Sequence, residues 1–138
     1  MQKILMIEDN PADVVLWRMG LDRCEEEYSL EILPDGEAAL KFVHAHRAGL
    51  HKPEPCVILL DLYLPKHNGM EVLRAIKDEP ALAHISVVVW TSVASQADLR
   101  EVARLGAICR QKPVGLAEFE QLAHEVLAMC KGTVSLSS

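Results

Sequence analysis

The sequence has few aromatic residues and no excess of positive charge. Only two Trp, two Tyr and two Phe occur among 138 residues, so aliphatic side chains must build most of the core. The net charge is -6, from 14 basic and 20 acidic residues. A nucleic-acid-binding surface needs a basic excess, so this balance argues against nucleic acid as a partner. It is compatible with a multivalent cation or with a basic protein partner.

Long apolar runs are also missing. None approaches the roughly 18 residues that a membrane span requires, and the opening MQKILMIEDN reaches acidic residues by position 8, unlike a signal peptide. We therefore expect a soluble, cytoplasmic protein with no membrane segment. The cysteines lack the spacing of a zinc site or a redox pair. They are expected to be reduced, mostly buried thiols: Cys24, Cys56, Cys109 and Cys130.

Five short apolar runs alternate with five segments of helical periodicity. The third and fourth runs are apolar on both faces, as in a parallel sheet covered by helices on both sides. Asn10 and Ser95 are suitable helix caps. The pattern predicts an α/β fold, (βα)5 and doubly wound, in one domain over residues 1–131, with a polar tail over 132–138. Strands are predicted at 3–7, 28–33, 56–60, 85–90 and 107–111, and helices at about 11 onward, 37–49, 69–80, 95–106 and 116–130.

Polar residues follow four of the five predicted strands. In an open parallel sheet, sites form beyond the carboxyl ends of the strands. The residues that these ends bring to one edge of the sheet are Glu8 and Asp9, Asp61, Thr91 and Ser92, and Lys112 and Pro113.

Three carboxylates at one edge repel one another. A like-charge pair about 4 Å apart costs about 4 kcal/mol at an effective dielectric constant near 20. A hard divalent cation relieves this repulsion, and oxygen ligands with open positions suit Mg²⁺. With Lys112 as a positive charge and Thr91 as a donor, the edge has the groups needed to receive a phosphoryl group, with Asp61 as the nucleophile.

Each of these signals is weak alone. An aspartate at a strand end is often a helix cap, and Thr91 with Ser92 is compatible with a simple turn. Lys–Pro is a common loop dipeptide. The functional interpretation rests on the joint pattern, in which each group follows the appropriate strand in the appropriate order.

Four segments together resemble the receiver domain of two-component response regulators, which has the chemotaxis-regulator, flavodoxin-like fold. They are MIEDNPAD, VILLDLYLPKHNGMEVLRAIK, VVVWTS and CRQKPV, and the resemblance extends over roughly residues 3–131. It implies that Asp61 is the phosphoacceptor and that Asp9, Asp61 and the backbone carbonyl of Tyr63 bind Mg²⁺. It further implies that Glu8 acts on the metal through water, that Thr91 and Lys112 contact the phosphoryl group, and that the Lys112–Pro113 bond is cis.

Within that family, the sequence most resembles small stand-alone receivers that serve bacterial phytochrome-type histidine kinases. The longer stretch between Gly36 and Asp61 and the segment LDLYLPKHNGMEVLRAIKDEPALAHISVVVWTS carry this resemblance. It implies a single-domain response regulator that takes its phosphoryl group from such a kinase and is not a conventional enzyme. A role as phosphate sink in a phosphorelay is an alternative. A homodimer through the fourth helix, fifth strand and last helix is expected, because many receivers associate through this face.

Two positions depart from the family pattern. Cys109 occupies the place where many receivers have an aromatic switch residue, so a swinging ring cannot report phosphorylation here. We interpret Cys109 as a small buried residue rather than a redox gate. Tyr63, two residues after Asp61, is bulky and is expected to restrict water that attacks the phosphoryl group.

Two other functional classes require residues that this sequence lacks. A phosphohydrolase of the haloacid-dehalogenase type needs a second acid two residues after its nucleophile, and Tyr63 stands there. A flavodoxin-like redox carrier needs a phosphate-binding loop after the first strand, where this sequence has the acidic EDNPAD. Both are less consistent with the sequence than a phosphoryl-accepting switch.

Overall fold

The computed structural model describes residues 2–47, 54–64, 68–92 and 94–131. The predicted tail at 132–138 and the last two residues of the helix predicted at 37–49 lie outside the described residues. No helix in these ranges combines the length and apolarity needed to cross a membrane. The strands are β1 (Gln2–Ile7), β2 (Tyr28–Leu33), β3 (Val57–Leu60), β4 (Ser86–Thr91) and β5 (Ile108–Gln111), and the helices are α1 (Pro11–Arg23), α2 (Gly36–Arg47), α3 (Gly69–Asp78), α4 (Gln96–Arg104) and α5 (Leu116–Lys131).

The five strands form one parallel sheet in the order β2-β1-β3-β4-β5, which confirms the predicted fold class. In this register Ile7 pairs with Leu60, and Leu60 pairs with Val89. Pairing continues past the strand ends, since the N–H of Asp61 donates to the carbonyl of Ile7 at 3.2 Å and the N–H of Lys112 donates to that of Thr91 at 2.9 Å. The residues that follow β1 and β3 are therefore held side by side at one edge.

Side-chain caps fix where three of the helices begin. Asn10 Oδ1 accepts from the N–H of Ala12 at 2.9 Å, and Ser95 Oγ accepts from the N–H of Asp98 at 3.0 Å. Both caps were expected from the sequence. Asn68 caps α3 in the same way, and that cap was not predicted. Because caps define the first helical residue, they also orient the loops that carry the carboxylates.

Each face of the sheet has its own core. On one face, strand residues pack against α2, α3 and α4. On the other, Trp17 of α1, Trp90 of β4 and Phe119 of α5 form an edge-to-face cluster, with the Trp17 ring centroid 5.5 Å from that of Trp90 and 5.9 Å from that of Phe119. All three side chains are buried. Although the sequence has only six aromatic residues, three of them therefore meet in one cluster on the α1–α5 side of the sheet.

The cysteine expectation is wrong for two of the four residues. Cys56, just before β3, and Cys130, near the end of α5, form a disulfide with a Cα–Cα distance of 5.0 Å, within the usual range for such a bond. Cys24 and Cys109 are free. The bonded pair is separated by 74 residues, so its proximity depends on how α5 crosses the sheet, which residue spacing does not show.

The expectation of a cis peptide bond is also wrong. No peptide bond among the described residues is cis, so Lys112–Pro113 is trans. The trans isomer is the lower-energy form of most X–Pro bonds.

Candidate functional site

Three carboxylates meet at the carboxyl edge of the sheet. Oxygens of Glu8, Asp9 and Asp61 lie within 4.8 Å of one another. Glu8 and Asp61 are buried, with 1% and 4% of their surfaces exposed, whereas Asp9 is exposed. Two buried acids next to an exposed one form a cluster that is open to solvent on one side.

The environment of Glu8 shifts the pKa of its carboxyl group upward. Burial, followed by the negative charge of Asp61, raises the pKa of Glu8 to about 7. Its Oε2 accepts from the N–H groups of Asp9 and Asn10 at 3.0 and 3.1 Å. Its Oε1 is buried without a hydrogen-bond donor among the described residues and lies 3.5 Å from Nζ of Lys112. A cation beside Oε1 would satisfy this oxygen and offset the repulsion, so the residues present fit a divalent metal ion.

Both oxygens of Asp61 have donors. Oδ1 accepts from the N–H of Tyr63 at 3.0 Å, and Oδ2 lies 3.2 Å from Nζ of Lys112. Burial lowers the pKa of Lys112, but its hydrogen bond to Asp13 and the charges of Glu8 and Asp61 outweigh burial and raise this pKa. The lysine is therefore a fixed positive charge beside the carboxylate.

Asp13 is a member of the site that sequence reasoning missed. Its Oδ2 lies 2.9 Å from Nζ of Lys112, the shortest of the three carboxylate contacts of that ammonium. The same ammonium stands 4.5 Å from the ring centroid of Trp90, in the range of a cation–π interaction. Asp13 belongs to a helix rather than to a strand end, so the pattern of polar residues after the strands does not point to it.

Thr91 and Cys109 lie on neighbouring strands and line the same cavity. Thr91 is buried at the end of β4, and Cys109 is half-buried in β5. The cavity has a volume of about 460 Å³ and is also lined by Leu99 of α4. Burial raises the pKa of the Cys109 thiol, although Arg110 opposes the shift. This favours the unreactive protonated thiol. Cys109 was expected to be buried, but it is half-buried and packs against the edge of the core that includes α2, α3 and α4.

The Tyr63 side chain points toward α4. It is 56% exposed, and its hydroxyl lies 3.5 Å from Oδ2 of Asp98 in the first turn of that helix. The ring thus bridges the loop after β3 and the start of α4. Its predicted effect on attacking water stays a prediction.

Gly69 is a second residue that the sequence did not single out. A Cβ at this position would lie 2.5 Å from the carbonyl oxygen of Asp61 and 2.5 Å from Cα of Leu62. The N–H of Gly69 also donates to the carbonyl of Leu62 at 2.7 Å. The start of α3 therefore packs directly on the backbone that carries Asp61, and only glycine permits this approach.

Comparison with known families identifies this arrangement. The family described as "Response regulator receiver domain" matches residues 4–124. The chain belongs to this family. The resemblance stated from the four sequence segments is thereby confirmed.

Individual response regulators are similar to this chain in sequence and in structure. "Response regulator Rcp1" of Synechocystis sp. is 42% identical over 96 residues, which are 70% of this chain and 65% of the relative. The matched region thus spans less than two thirds of that relative's length. The solved structure of the Mn²⁺-bound form of response regulator Rcp1 has a TM-score of 0.82 at 33% identity, with 100% of both chains covered. The structure of the phosphorylated cyanobacterial phytochrome response regulator RcpA has a TM-score of 0.83 at 30% identity, with 99% of both chains covered.

Proposed function

We propose that this receiver is a response regulator that accepts a phosphoryl group on Asp61 from a histidine kinase. The proposal rests on the groups that surround Asp61. Carboxylate oxygens of Glu8 and Asp9 lie within 4.8 Å of an Asp61 oxygen, and the Lys112 ammonium lies 3.2 Å from Oδ2 of Asp61. This combination allows a cation and an ammonium to neutralise a phosphoryl group at one carboxylate. In this role the receiver is a signalling module and not an enzyme that acts on a separate substrate.

We propose that Asp61, Lys112 and Thr91 carry out the transfer as follows. A carboxylate oxygen of Asp61 attacks phosphorus, a P–O bond forms, and the P–N bond to the kinase histidine breaks with its electron pair returning to the imidazole. Lys112 pairs with the phosphoryl oxygens, and the Thr91 hydroxyl donates to one of them. Glu8, Asp9, Asp61 and the backbone carbonyl of Tyr63 would hold Mg²⁺, which supplies charge neutralisation when bound. Attack by water on the phosphoryl group later restores the free carboxylate and ends the signal.

A phytochrome-type kinase is the partner that the comparisons favour. RcpA is described as a cyanobacterial phytochrome response regulator, and it aligns with 99% of this chain. We therefore propose that a kinase of this class phosphorylates the receiver. The receiver and the kinase domain that phosphorylates it would share the cytoplasm.

Intact mass after incubation with acetyl phosphate tests the proposal. The wild type is expected to gain the mass of one phosphoryl group only when Mg²⁺ is present, and hydroxylamine is expected to remove it. Asp61→Asn keeps the side-chain shape but lacks the nucleophile, so it should gain no phosphate. Asp22→Asn is the matched control, because Asp22 lies at the far end of α1, where it accepts from the Tyr28 hydroxyl at 2.6 Å. Equal phosphorylation of Asp61→Asn and the wild type would refute the assignment.

We also propose that the receiver forms a homodimer through α4, β5 and α5. β5 is an edge strand of the sheet, and apolar side chains near it are exposed, with 37% of Leu99 and 99% of Val114 accessible. A twofold contact would pair the same surface on both subunits.

Light scattering at several concentrations, with and without beryllofluoride and Mg²⁺, checks the dimer. The expected result is a dimer mass at high micromolar concentration for the wild type and a monomer mass for Leu99→Arg. Val15→Arg introduces the same charge at an exposed apolar position on α1 and is expected to leave the dimer intact. A monomer mass for the wild type in both states would leave output to a different protein.

A further inference from the structure

Lys112 is shared between the site and α1. Its ammonium lies 2.9 Å from Asp13, 3.2 Å from Asp61 and 3.5 Å from Glu8. The shortest contact is therefore made with a carboxylate outside the cluster of Glu8, Asp9 and Asp61 that fits a metal. Side-chain exposure is only 17% for Lys112 and 16% for Asp13, so solvent screens this pair less than it screens a surface ion pair.

The start of α1 explains why the Asp13 carboxylate is available to Lys112. Asn10 is the cap, and Asp13 is the third residue of the helix. An acidic side chain at this position often accepts from the N–H of the cap residue. Here the N–H of Asn10 donates to Glu8 Oε2 at 3.1 Å instead. The Asp13 carboxylate contacts Lys112 instead, with Oδ2 2.9 Å from Nζ.

A phosphoryl group on Asp61 would compete for the same ammonium. It adds negative charge and strong acceptor oxygens next to Lys112. The Asp13 carboxylate opposes the contact between Lys112 and the phosphoryl group in two ways. It holds the ammonium by a charge-assisted hydrogen bond, and its own negative charge repels the phosphoryl group. Trp90 and Asp61 would still hold the lysine at the site without Asp13, since both contact it independently.

We propose that Asp13 is a positioning residue that holds Lys112 in the resting receiver and competes with the phosphoryl group for it. This inference rests on the proposed function. When Asp61 is phosphorylated, Lys112 moves from Asp13 to the phosphoryl oxygens, and the first turn of α1 loses its side-chain contact with Lys112. The strength of the Asp13–Lys112 bond thereby sets how strongly the phosphorylated state is favoured.

Beryllofluoride binding in the presence of Mg²⁺ measures this competition, because beryllofluoride mimics a phosphoryl group on Asp61. Asp13→Asn removes the charge, and we expect it to bind beryllofluoride about three- to tenfold more tightly, the size expected of one charge-assisted hydrogen bond that is partly screened. Asp13→Glu keeps the charge and is expected to stay within about twofold of the wild type. Asp22→Asn removes one charge from the same helix and is expected to change nothing.

A second measurement follows Lys112 itself. The ¹H–¹³C signal of its terminal methylene, assigned by its absence in Lys112→Met, is expected to shift in resting Asp13→Asn and to remain unmoved in Asp22→Asn. A merely structural role of Asp13 would not move this signal selectively.

The outcomes separate the two proposals. If Asp13→Asn binds beryllofluoride as the wild type does, or more weakly, the competition is refuted while the proposed function stands. An equal gain in Asp22→Asn would likewise refute it, because the effect would then come from overall charge. If the wild type itself binds no beryllofluoride, both proposals are overturned.

Discussion

Gly69→Ala is expected to lower the free energy of unfolding by about 3 kcal/mol, the upper part of the usual range for overpacking. The new methyl group would meet the Asp61 carbonyl oxygen and Leu62 Cα at 2.5 Å and the Leu62 carbonyl oxygen at 2.7 Å. These are backbone atoms, so no side-chain rotation relieves the clash. Either α3 or the loop after β3 must move, and the hydrogen bond from the N–H of Gly69 to Leu62 lengthens or breaks.

The same substitution is expected to slow phosphorylation of Asp61. A shift of about 1 Å in a reacting group can cost on the order of 100-fold in rate, and the displaced backbone here carries the nucleophile. Urea unfolding gives the stability change. The initial rate of mass gain from acetyl phosphate, at a temperature where the variant is folded, gives the effect on the site.

Gly115→Ala provides the control for Gly69→Ala. Its nearest contact would be Oε2 of the Glu118 side chain at 3.3 Å, an oxygen that accepts from the N–H of Gly115 at 2.7 Å. A shift of this side chain by a few tenths of an ångström relieves the contact without any movement of the backbone. We expect a small change in stability and a normal phosphorylation rate. If Gly69→Ala unfolds at the same urea concentration as Gly115→Ala, that result would contradict the close approach of the start of α3 to the Asp61 backbone.

Reduction of the Cys56–Cys130 disulfide is expected to produce the other large effect. The bond joins residues 74 positions apart, and the chain-entropy relation gives about 4.5 kcal/mol for a loop of this size. For a chain of this length, that corresponds to a fall in melting temperature of roughly 10–15 °C. The comparison is made by calorimetry on protein oxidised with glutathione disulfide and on the same protein treated with dithiothreitol.

Thiol counting and two double variants give the disulfide prediction its controls. Denatured oxidised protein is expected to expose two thiols, from Cys24 and Cys109, and reduced protein four. A variant with serine at both Cys56 and Cys130 should no longer respond to reductant, whereas one with serine at Cys24 and Cys109 should respond fully. Four thiols in the oxidised wild type would show that the pair does not form.

The order and type of every helix and strand were predictable from local patterns. β4 is marked by the β-branched run in SVVVWT, and α1 and α4 begin at the capping residues expected for them. Observed ends differ from the predicted ones by one or two residues at most positions, since helix ends depend on caps and on packing. The strand-end acids were predictable too, because the carboxyl ends of parallel strands meet at one edge.

Other parts of the site depend on contacts between distant segments. Asp13 meets Lys112 across 99 residues, and neither residue type nor spacing shows that approach. Gly69 looks like an ordinary helix-start residue until the backbone of Leu62 is placed against it. Cys56 and Cys130 are close because α5 crosses the sheet near the start of β3, and their separation of 74 residues does not show this. In each case the missing information was the distance between elements rather than their identity.

The aromatic cluster of Trp17, Trp90 and Phe119 has a consequence for the order in which the chain acquires its structure during synthesis. Trp17 emerges from the ribosome early, but its partner Phe119 belongs to the fifth helix and emerges about 100 residues later. Trp90 of β4 can cover part of the Trp17 ring before then, but the surface that α5 covers stays open to other nascent chains. The α1–α5 side of the core therefore closes after synthesis of the receiver is nearly complete, and chaperones that recognise exposed apolar surface have their longest opportunity on this face.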